Sequence, residues 1–220
     1  MTQTATAVAT WQAHYAKPEG RRWWPCEALV RFLSGRRFGC ALEAGCGNGA
    51  NLWLLAEHAE TVVGIDGCEE AVEMAVEYVE RRHAENAYVM CGSIFKLPVH
   101  DMSQDLVVDV MVGQHVAWDD QARLFAEYRR VLRPGGSLFR YNLAPGTTVD
   151  GATRTGRYTF ADLPTLFPGV GPVCIPSNEA LAGLLTAAGF SVRPTIYQSR
   201  EYQDGLAVAR YGFLEAVRVR

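Results

Sequence analysis

Apolar positions along this chain switch between two periods. A short apolar run, Cys40-Ala41-Leu42 within 39–44, gives way to helix-spaced apolar residues over 51–58, and these to the β-branched run Thr61-Val62-Val63-Gly64-Ile65. Short apolar runs bounded by turn residues predict buried strands, and apolar residues three and four apart predict helices packed on them. The alternation continues. Ala71, Val72, Ala75, Val76 and Val79 recur at helical spacing within Glu69 to Arg82, residues 88–91 read as a strand, and Val107 to Val112 has the unbroken apolar character of a central parallel strand. Gln121 to Leu132 predicts a helix with Asp119 or Asp120 at its cap, and Ser137 to Tyr141 a further strand. Asn178 is placed to cap a helix that carries Leu181, Leu184, Leu185 and Ala188 and stops at Gly189. Val192 to Tyr197 and Leu206 to Val217 read as an antiparallel pair at the sheet edge. Strands alternating with helices predict a doubly wound α/β fold.

The stretch with most chemical content is Ala41-Leu42-Glu43-Ala44-Gly45-Cys46-Gly47-Asn48-Gly49-Ala50-Asn51, which reads as strand, tight turn and helix. Gly45 and Gly47 can adopt positive φ and let the backbone approach a ligand closely. Asp66 ends the next strand, 17 residues after Gly49, where a carboxylate can accept from both hydroxyls of a ribose. The dinucleotide fingerprint is G-x-G-x-x-G. Here the spacing is G-x-G-x-G, with Glu43 two residues before the first glycine. That carboxylate would repel a pyrophosphate and attract a ligand that carries an ammonium group.

On these residues the chain resembles the class I, Rossmann-like, S-adenosylmethionine-dependent methyltransferases of small-molecule type. Three further segments extend the resemblance over roughly 39–141: Gly92-Ser93-Ile94 after the third strand, the strand Asp105 to Met111, and Glu127-Tyr128-Arg129-Arg130-Val131-Leu132-Arg133-Pro134-Gly135-Gly136 before the fifth. The resemblance implies a seven-stranded, mostly parallel sheet with one antiparallel edge strand, helices on both faces and a small N-terminal helical cap. It also implies S-adenosyl-L-methionine as cofactor, S-adenosyl-L-homocysteine as product, and Glu43, Gly45, Cys46, Gly47, Asn51, Asp66, Gly67, Ser93, Ile94 and Gly113 around the cofactor, with Trp24 as a further contact. Family members often carry Asp where Ser93 stands, so the adenine contact falls to the Ser93 hydroxyl or the Ile94 N–H.

Composition adds bounds. With 49% hydrophobic and 20% charged residues the chain suits a compact α/β domain spanning 1–220. Within it the expected parts are a cap or lid over 1–35, a cofactor-binding core over 39–141, a substrate-side connector over 144–177, and a C-terminal helix with its strand pair over 178–220. A net charge of −3 argues against a nucleic-acid or anionic-membrane surface. None of the six cysteines stands in C-x-x-C spacing, so buried thiols in a reducing compartment are expected, and no metal. Residues 1–10 are expected to fray. They show neither a basic n-region nor an apolar h-region, and no run approaches the ~18 apolar residues of a membrane span, which leads to the expectation of a cytoplasmic protein.

Three places hold candidate acceptor chemistry. Trp11, His14, Tyr15, Trp23 and Trp24 crowd an N-terminal segment broken by Pro18-Glu19-Gly20, which either packs on the sheet or covers the ligand. His115 is a titratable base just past the fourth strand, and Tyr15 is the second candidate for that role. The connector carries Arg154 and Arg157, able to grip an anionic group or merely to be solvated. The expected reaction is methyl transfer to a small molecule. The rivals are an RNA or protein acceptor, a non-catalytic cofactor-binding partner subunit, and a nicotinamide-dependent oxidoreductase. The motif of adenine-N6 and cytosine-N4 enzymes is absent after the fourth strand, where Val112-Gly113-Gln114-His115 stands, and the Pro-Cys of cytosine-C5 enzymes has no counterpart there.

Overall fold

The computed structural model describes residues 4–17, 21–166, 168–169, 171–202, 205 and 207–219, and of residues 4–8 the backbone alone. The Pro18-Glu19-Gly20 break and Leu206 lie outside the described residues. Helices α1 (Thr4–Tyr15) and α2 (Glu27–Leu33) precede the alternating core. The core runs β1 (Phe38–Ala44), α3 (Leu52–His58), β2 (Ala59–Asp66), α4 (Glu69–Arg81), β3 (Ala87–Cys91), β4 (Gln104–Val110), α5 (Gln121–Val131) and β5 (Leu132–Leu143). The connector holds a small hairpin, β6 (Thr159–Phe160) with β7 (Val173–Cys174), and the chain ends with α6 (Asn178–Ala187), β8 (Phe190–Val192), β9 (Ile196–Tyr202) and β10 (Ala207–Arg218).

The main sheet has the order β3-β2-β1-β4-β5-β10-β8, with β9 also paired to β10. Strands β1 to β5 are mutually parallel, and β10 runs against β5, β8 and β9. The reversed strand therefore sits one place in from the edge, and β8 and β9 share that edge, one along each half of β10. This corrects its expected position. The order reverses between β1 and β4, which opens a crevice at their C-terminal ends, where doubly wound sheets bind ligands.

Helices cover both faces. Leu29 and Leu33 of α2, Leu52 and Leu55 of α3, and Ala75 and Val79 of α4 close over one face. Leu124, Phe125 and Tyr128 of α5 and Leu185 of α6 close over the other. The buried stripe of α4 is Ala71, Ala75, Tyr78 and Val79, while Val76 is exposed on the flank of the predicted apolar set. Burial of such stripes, at roughly 25 cal/mol per Å² of apolar surface, is what holds helices of this length in place.

Several boundaries differ from expectation for local reasons. The N-terminus is helical from Thr4 instead of fraying. The Ser177 hydroxyl accepts from the Ala180 N–H, so the cap of α6 is Ser177 and not Asn178. Asp120 holds the cap position of α5 but makes no side-chain cap bond, because a 3₁₀ turn, Trp118–Asp120, leads directly into the helix. The stretch 192–197 is split by Pro194 between β8 and β9. β5 begins at Leu132, with 133–136 bulged out between the Gln104–Leu132 and Leu106–Ser137 pairs. Among the described residues no helix is long and apolar enough to cross a membrane.

Candidate active site

The glycine loop docks on the end of β2. The Gly45 and Cys46 N–H groups both donate to the Ile65 carbonyl, at 2.7 and 3.0 Å. Gly45 has φ 70° and Gly47 has φ 54°, conformations that L side chains rarely adopt. A Cβ on Gly45 would meet Val112 at 2.3 Å, and one on Gly47 would meet the Tyr15 hydroxyl at 2.3 Å. The loop is thus clamped between the segment after β4 and the N-terminal helix.

Two carboxylates border it. Glu43 is 1% exposed, and its Oε1 accepts from Asn51 Nδ2 at 2.5 Å. Among the described residues its other oxygen, Oε2, is buried without a hydrogen-bond partner. Burial pushes the Glu43 carboxyl up to about 8, against the opposing hydrogen bond of Asn51 and the charge of Arg22. An orphaned carboxylate oxygen of this kind fits an ammonium ligand and not a pyrophosphate. Asp66 stands at the tip of β2. Its Oδ2 accepts from the Gly47 N–H at 2.8 Å and its Oδ1 from the Cys68 N–H at 2.9 Å. Each oxygen keeps lone pairs for ribose hydroxyls. Burial raises the Asp66 carboxyl, and the N–H donors of Cys68, Gly47 and Gly67 pull the other way.

The remaining expected cofactor contacts differ in their surroundings. Cys46 is buried with its thiol on the Gly47 carbonyl. Asn51 links Glu43 to the N-terminal segment by accepting from the Cys26 N–H at 2.8 Å. Gly67 is exposed beside Asp66, and Ile94 is half-buried after β3. The Ser93 hydroxyl oxygen accepts from the Phe95 N–H at 3.2 Å. Gly113 packs under β4 instead: its N–H donates to Asp109 Oδ1 at 2.9 Å, and a Cβ there would meet Asp109 and Arg140. Trp24 is 71% exposed, with the Arg82 guanidinium 5.7 Å from its ring centroid, and so stands outside the loop.

The region past β4 rests on a buried polar chain. Asp109, fully buried, accepts from the N–H groups of Val112 and Gly113 and from Asn142 Nδ2, and faces Arg140, 4% exposed, at 3.5 Å. Asn142 Oδ1 accepts from the Gln114 N–H, and Gln114 Oε1 accepts from the Leu143 N–H. The Gln114 amide nitrogen is thereby aimed at His115 Nε2, 3.2 Å away. His115 Nδ1 lies 3.1 Å from the Pro172 carbonyl, which can only accept, so the proton sits on Nδ1 and the Nε2 lone pair takes the Gln114 N–H. Burial pushes His115 down to about 4. Trp11 closes edge-on over the imidazole at 4.8 Å.

Tyr15 reaches the loop from α1, and burial raises its phenol well above the ordinary value. Arg154 and Arg157 are exposed in the segment that leads into β6. Arg154 donates to the Arg157 carbonyl at 2.7 Å and stacks on Phe160, and Arg157 stacks on Tyr158.

Three residues beside the glycine loop, Asn48, Arg22 and Met111, have no assigned part in the sequence pattern. The Asn48 side chain pairs with both backbone groups of Arg22, accepting from its N–H at 3.2 Å and donating to its carbonyl at 2.5 Å. Arg22 Nη2 donates to the Met111 sulfur at 2.9 Å. Met111 has φ 62°, a strained conformation for a side chain of its size. Asn48 lay inside the recognised motif as an unassigned position, whereas no spacing in the sequence relates Arg22 to Met111. The segment 21–27 and Met111, with Tyr141, Arg200 and Tyr211, enclose a cavity of about 420 Å³ beside the glycine loop.

Comparison with known proteins bears on this geometry. Residues 42–140 match a family described as "Methyltransferase domain". A probable S-adenosylmethionine-dependent methyltransferase of Mycolicibacterium smegmatis is 41% identical over 110 residues, covering 48% of this chain and 40% of that protein. The chain spans less than half the length of the curated relatives it matches. Among solved structures, the 1,6-didemethyltoxoflavin-N1-methyltransferase of Burkholderia thailandensis, with bound 1,6-didemethyltoxoflavin and S-adenosylhomocysteine, superposes with TM-score 0.69 at 20% identity, over 100% of this chain and 92% of that one. A SAM-dependent methyltransferase of Methanosarcina mazei gives TM-score 0.69 at 18% identity, over 89% and 99%. These two likenesses establish the fold.

Proposed function

We propose that this chain, whose residues 42–140 are a methyltransferase domain of the S-adenosylmethionine-dependent class, transfers a methyl group from S-adenosylmethionine to a small-molecule acceptor. The observation that carries the reading is the pair of acids beside the glycine loop: Glu43 on β1, with one buried oxygen free for an ammonium, and Asp66 at the tip of β2, with lone pairs left for ribose hydroxyls. When bound, S-adenosylmethionine supplies an electrophilic methyl on a sulfonium.

The residues of the chain bind, orient and keep water out. Glu43 and Asp66 hold the two ends of the donor, and the positive-φ glycines let the backbone lie against it. Tyr15 and Trp11 cover the crevice from α1. A donor this reactive needs alignment and exclusion of water more than a base. His115 has its Nε2 lone pair held by Gln114 and is kept neutral by burial, a weak base, so its part is to fix Pro172 and Trp11 beside the segment past β4. Tyr15, with a phenol held neutral, likewise serves as a cover and not as a base.

Titration calorimetry with S-adenosylmethionine, S-adenosylhomocysteine and NADH, side by side, tests the reading. Binding of the first two and silence from NADH supports it. Binding of NADH alone would overturn the glycine-spacing argument. Binding of S-adenosylmethionine without turnover on any acceptor would favour a non-catalytic partner subunit.

A further inference from the structure

We infer that the cavity beside the glycine loop is the acceptor subsite, and that it takes a small, planar molecule bearing a carboxylate. This inference rests on the methyltransferase reading for its role and on the cavity itself for its chemistry. Three arginines, Arg21, Arg22 and Arg200, are among the residues that line it, against one acid, Glu27. Glu27 is already committed: its Oε1 lies 2.7 Å from Arg31, and its Oε2 accepts from Gln198. Among the described residues no carboxylate stands within ion-pair distance of Arg21, Arg22 or Arg200, although six other arginines of the chain are so paired. Arg21 donates to the Tyr15 carbonyl. Arg22, half-buried, spends a donor on the Met111 thioether, one of the weakest acceptors available. An arginine outside ion-pair distance of every described carboxylate and pinned to a sulfur on a strained residue is poised for a better acceptor that arrives with the ligand.

Shape agrees with charge. Tyr141 and Tyr211, both buried, stack within 8° of parallel with centroids 5.0 Å apart, and this aromatic pair is part of the cavity lining, which suits a ring. Trp24 stands at its mouth. A volume of about 420 Å³ suits a molecule of one or two rings. The cavity also adjoins the donor site, because Asn48 of the glycine loop holds the Arg22 backbone and Met111 follows β4 directly. A carboxylate clamped between Arg22 and Arg200 would leave the far side of the ring facing the crevice.

The test is calorimetric titration of the full chain, saturated with S-adenosylhomocysteine, with benzoate, its neutral isostere benzamide, and the non-planar cyclohexanecarboxylate. Benzoate should bind at least about tenfold more tightly than benzamide, the difference expected of charge-assisted hydrogen bonds. Cyclohexanecarboxylate should fall between them. Arg22→Gln and Arg200→Gln should each weaken benzoate about tenfold or more and erase its advantage over benzamide, and Arg154→Gln should leave both affinities unchanged. Equal binding of benzoate and benzamide, no binding of either, or a loss in Arg154→Gln that Arg200→Gln does not share would overturn the assignment. Failure of S-adenosylhomocysteine to bind would instead count against the methyltransferase reading, which separates the two outcomes. Repeating the benzoate titrations without S-adenosylhomocysteine then decides the charge assignment on its own.

Discussion

The two sides of the crevice are built differently. On the donor side, the glycine loop, Glu43, Asn51 and Asp66 lie within 24 residues of one another and bond mainly to each other's side chains and backbone: Asn51 to Glu43, Gly47 and Cys68 to Asp66, Gly45 and Cys46 to Ile65. On the acceptor side, Arg22, Met111, Tyr141, Arg200 and Tyr211 come from five separate segments, and a deep polar chain from Asp109 to His115 supports the region past β4. A contiguous site can be held by its own turn geometry. A site assembled from distant segments needs a buried scaffold, and its specificity can change without disturbing the donor loop.

The largest effect should follow from cutting that scaffold. Asp109→Ala leaves the Arg140 guanidinium buried without its counter-charge, and strips an acceptor from Val112, Gly113 and Asn142. Removing one partner of a buried pair costs roughly 3–5 kcal/mol. Denaturant unfolding should show that loss. A loss near that of an ordinary surface substitution would mean that the region past β4 stands without Asp109.

His115 gives the next effect, and its sign is set by its depressed titration. In the unfolded chain the imidazole takes a proton near 6.5, and in the fold only near 4. The unfolded state therefore binds more protons between those values, and stability falls as pH drops through that window, by up to about 3 kcal/mol. His115→Gln should flatten the curve of unfolding free energy between pH 4 and 6.5. The same variant should lower turnover more than cofactor affinity if His115 fixes Pro172 and Trp11. An unchanged pH profile would place the imidazole in water.

On the donor side, Asp66→Ala should weaken S-adenosylhomocysteine binding by about 1–3 kcal/mol, the worth of charged hydrogen bonds, and should disturb Gly47 as well, because that N–H loses its acceptor. Calorimetry measures the first and unfolding the second. Undiminished affinity would remove Asp66 from the ribose site.

The same contrast explains what could be read from the chain. The alternation of periods, the glycine spacing and the acids two residues before Gly45 and at the end of β2 are local features, and they lead to the sheet, its switch point and the donor loop. The position of β10 within the sheet is not local: β10 pairs with β5 across some seventy residues, and β8 and β9 compete for its other edge. Arg154 and Arg157 stand in the long connector, where the sequence leaves them between an anion grip and plain solvation; they are exposed before β6, and the cavity is lined by Arg21, Arg22 and Arg200. Nothing in the spacing of Arg22, Met111 and Arg200 announces that the fold will gather them. His115 was visible as a base past β4, but the Gln114 and Pro172 bonds that occupy its nitrogens depend on Asn142 and the connector.

The subtlest prediction concerns Glu43, where a proton count replaces a large energy. Burial holds this carboxyl up to about 8, so near neutral pH the folded protein keeps it mostly protonated, whereas the unfolded chain has lost that proton above about 4.5. The fold binds the extra proton between those values, so this group makes the protein less stable as pH rises from about 4.5 towards 8. An ammonium arriving beside the orphaned Oε2 favours the carboxylate, so ligand binding at pH 7 should expel a fraction of one proton per molecule. Binding enthalpies of S-adenosylhomocysteine measured in phosphate and in Tris, whose ionisation enthalpies differ widely, should then disagree by that fraction of the buffer difference. Glu43→Gln should bring the two enthalpies together while keeping the Asn51 side chain within reach of an acceptor oxygen. Identical enthalpies in the wild-type protein would mean that the ammonium is met by something other than Glu43, and the orphaned oxygen would then belong to the fold and not to the site.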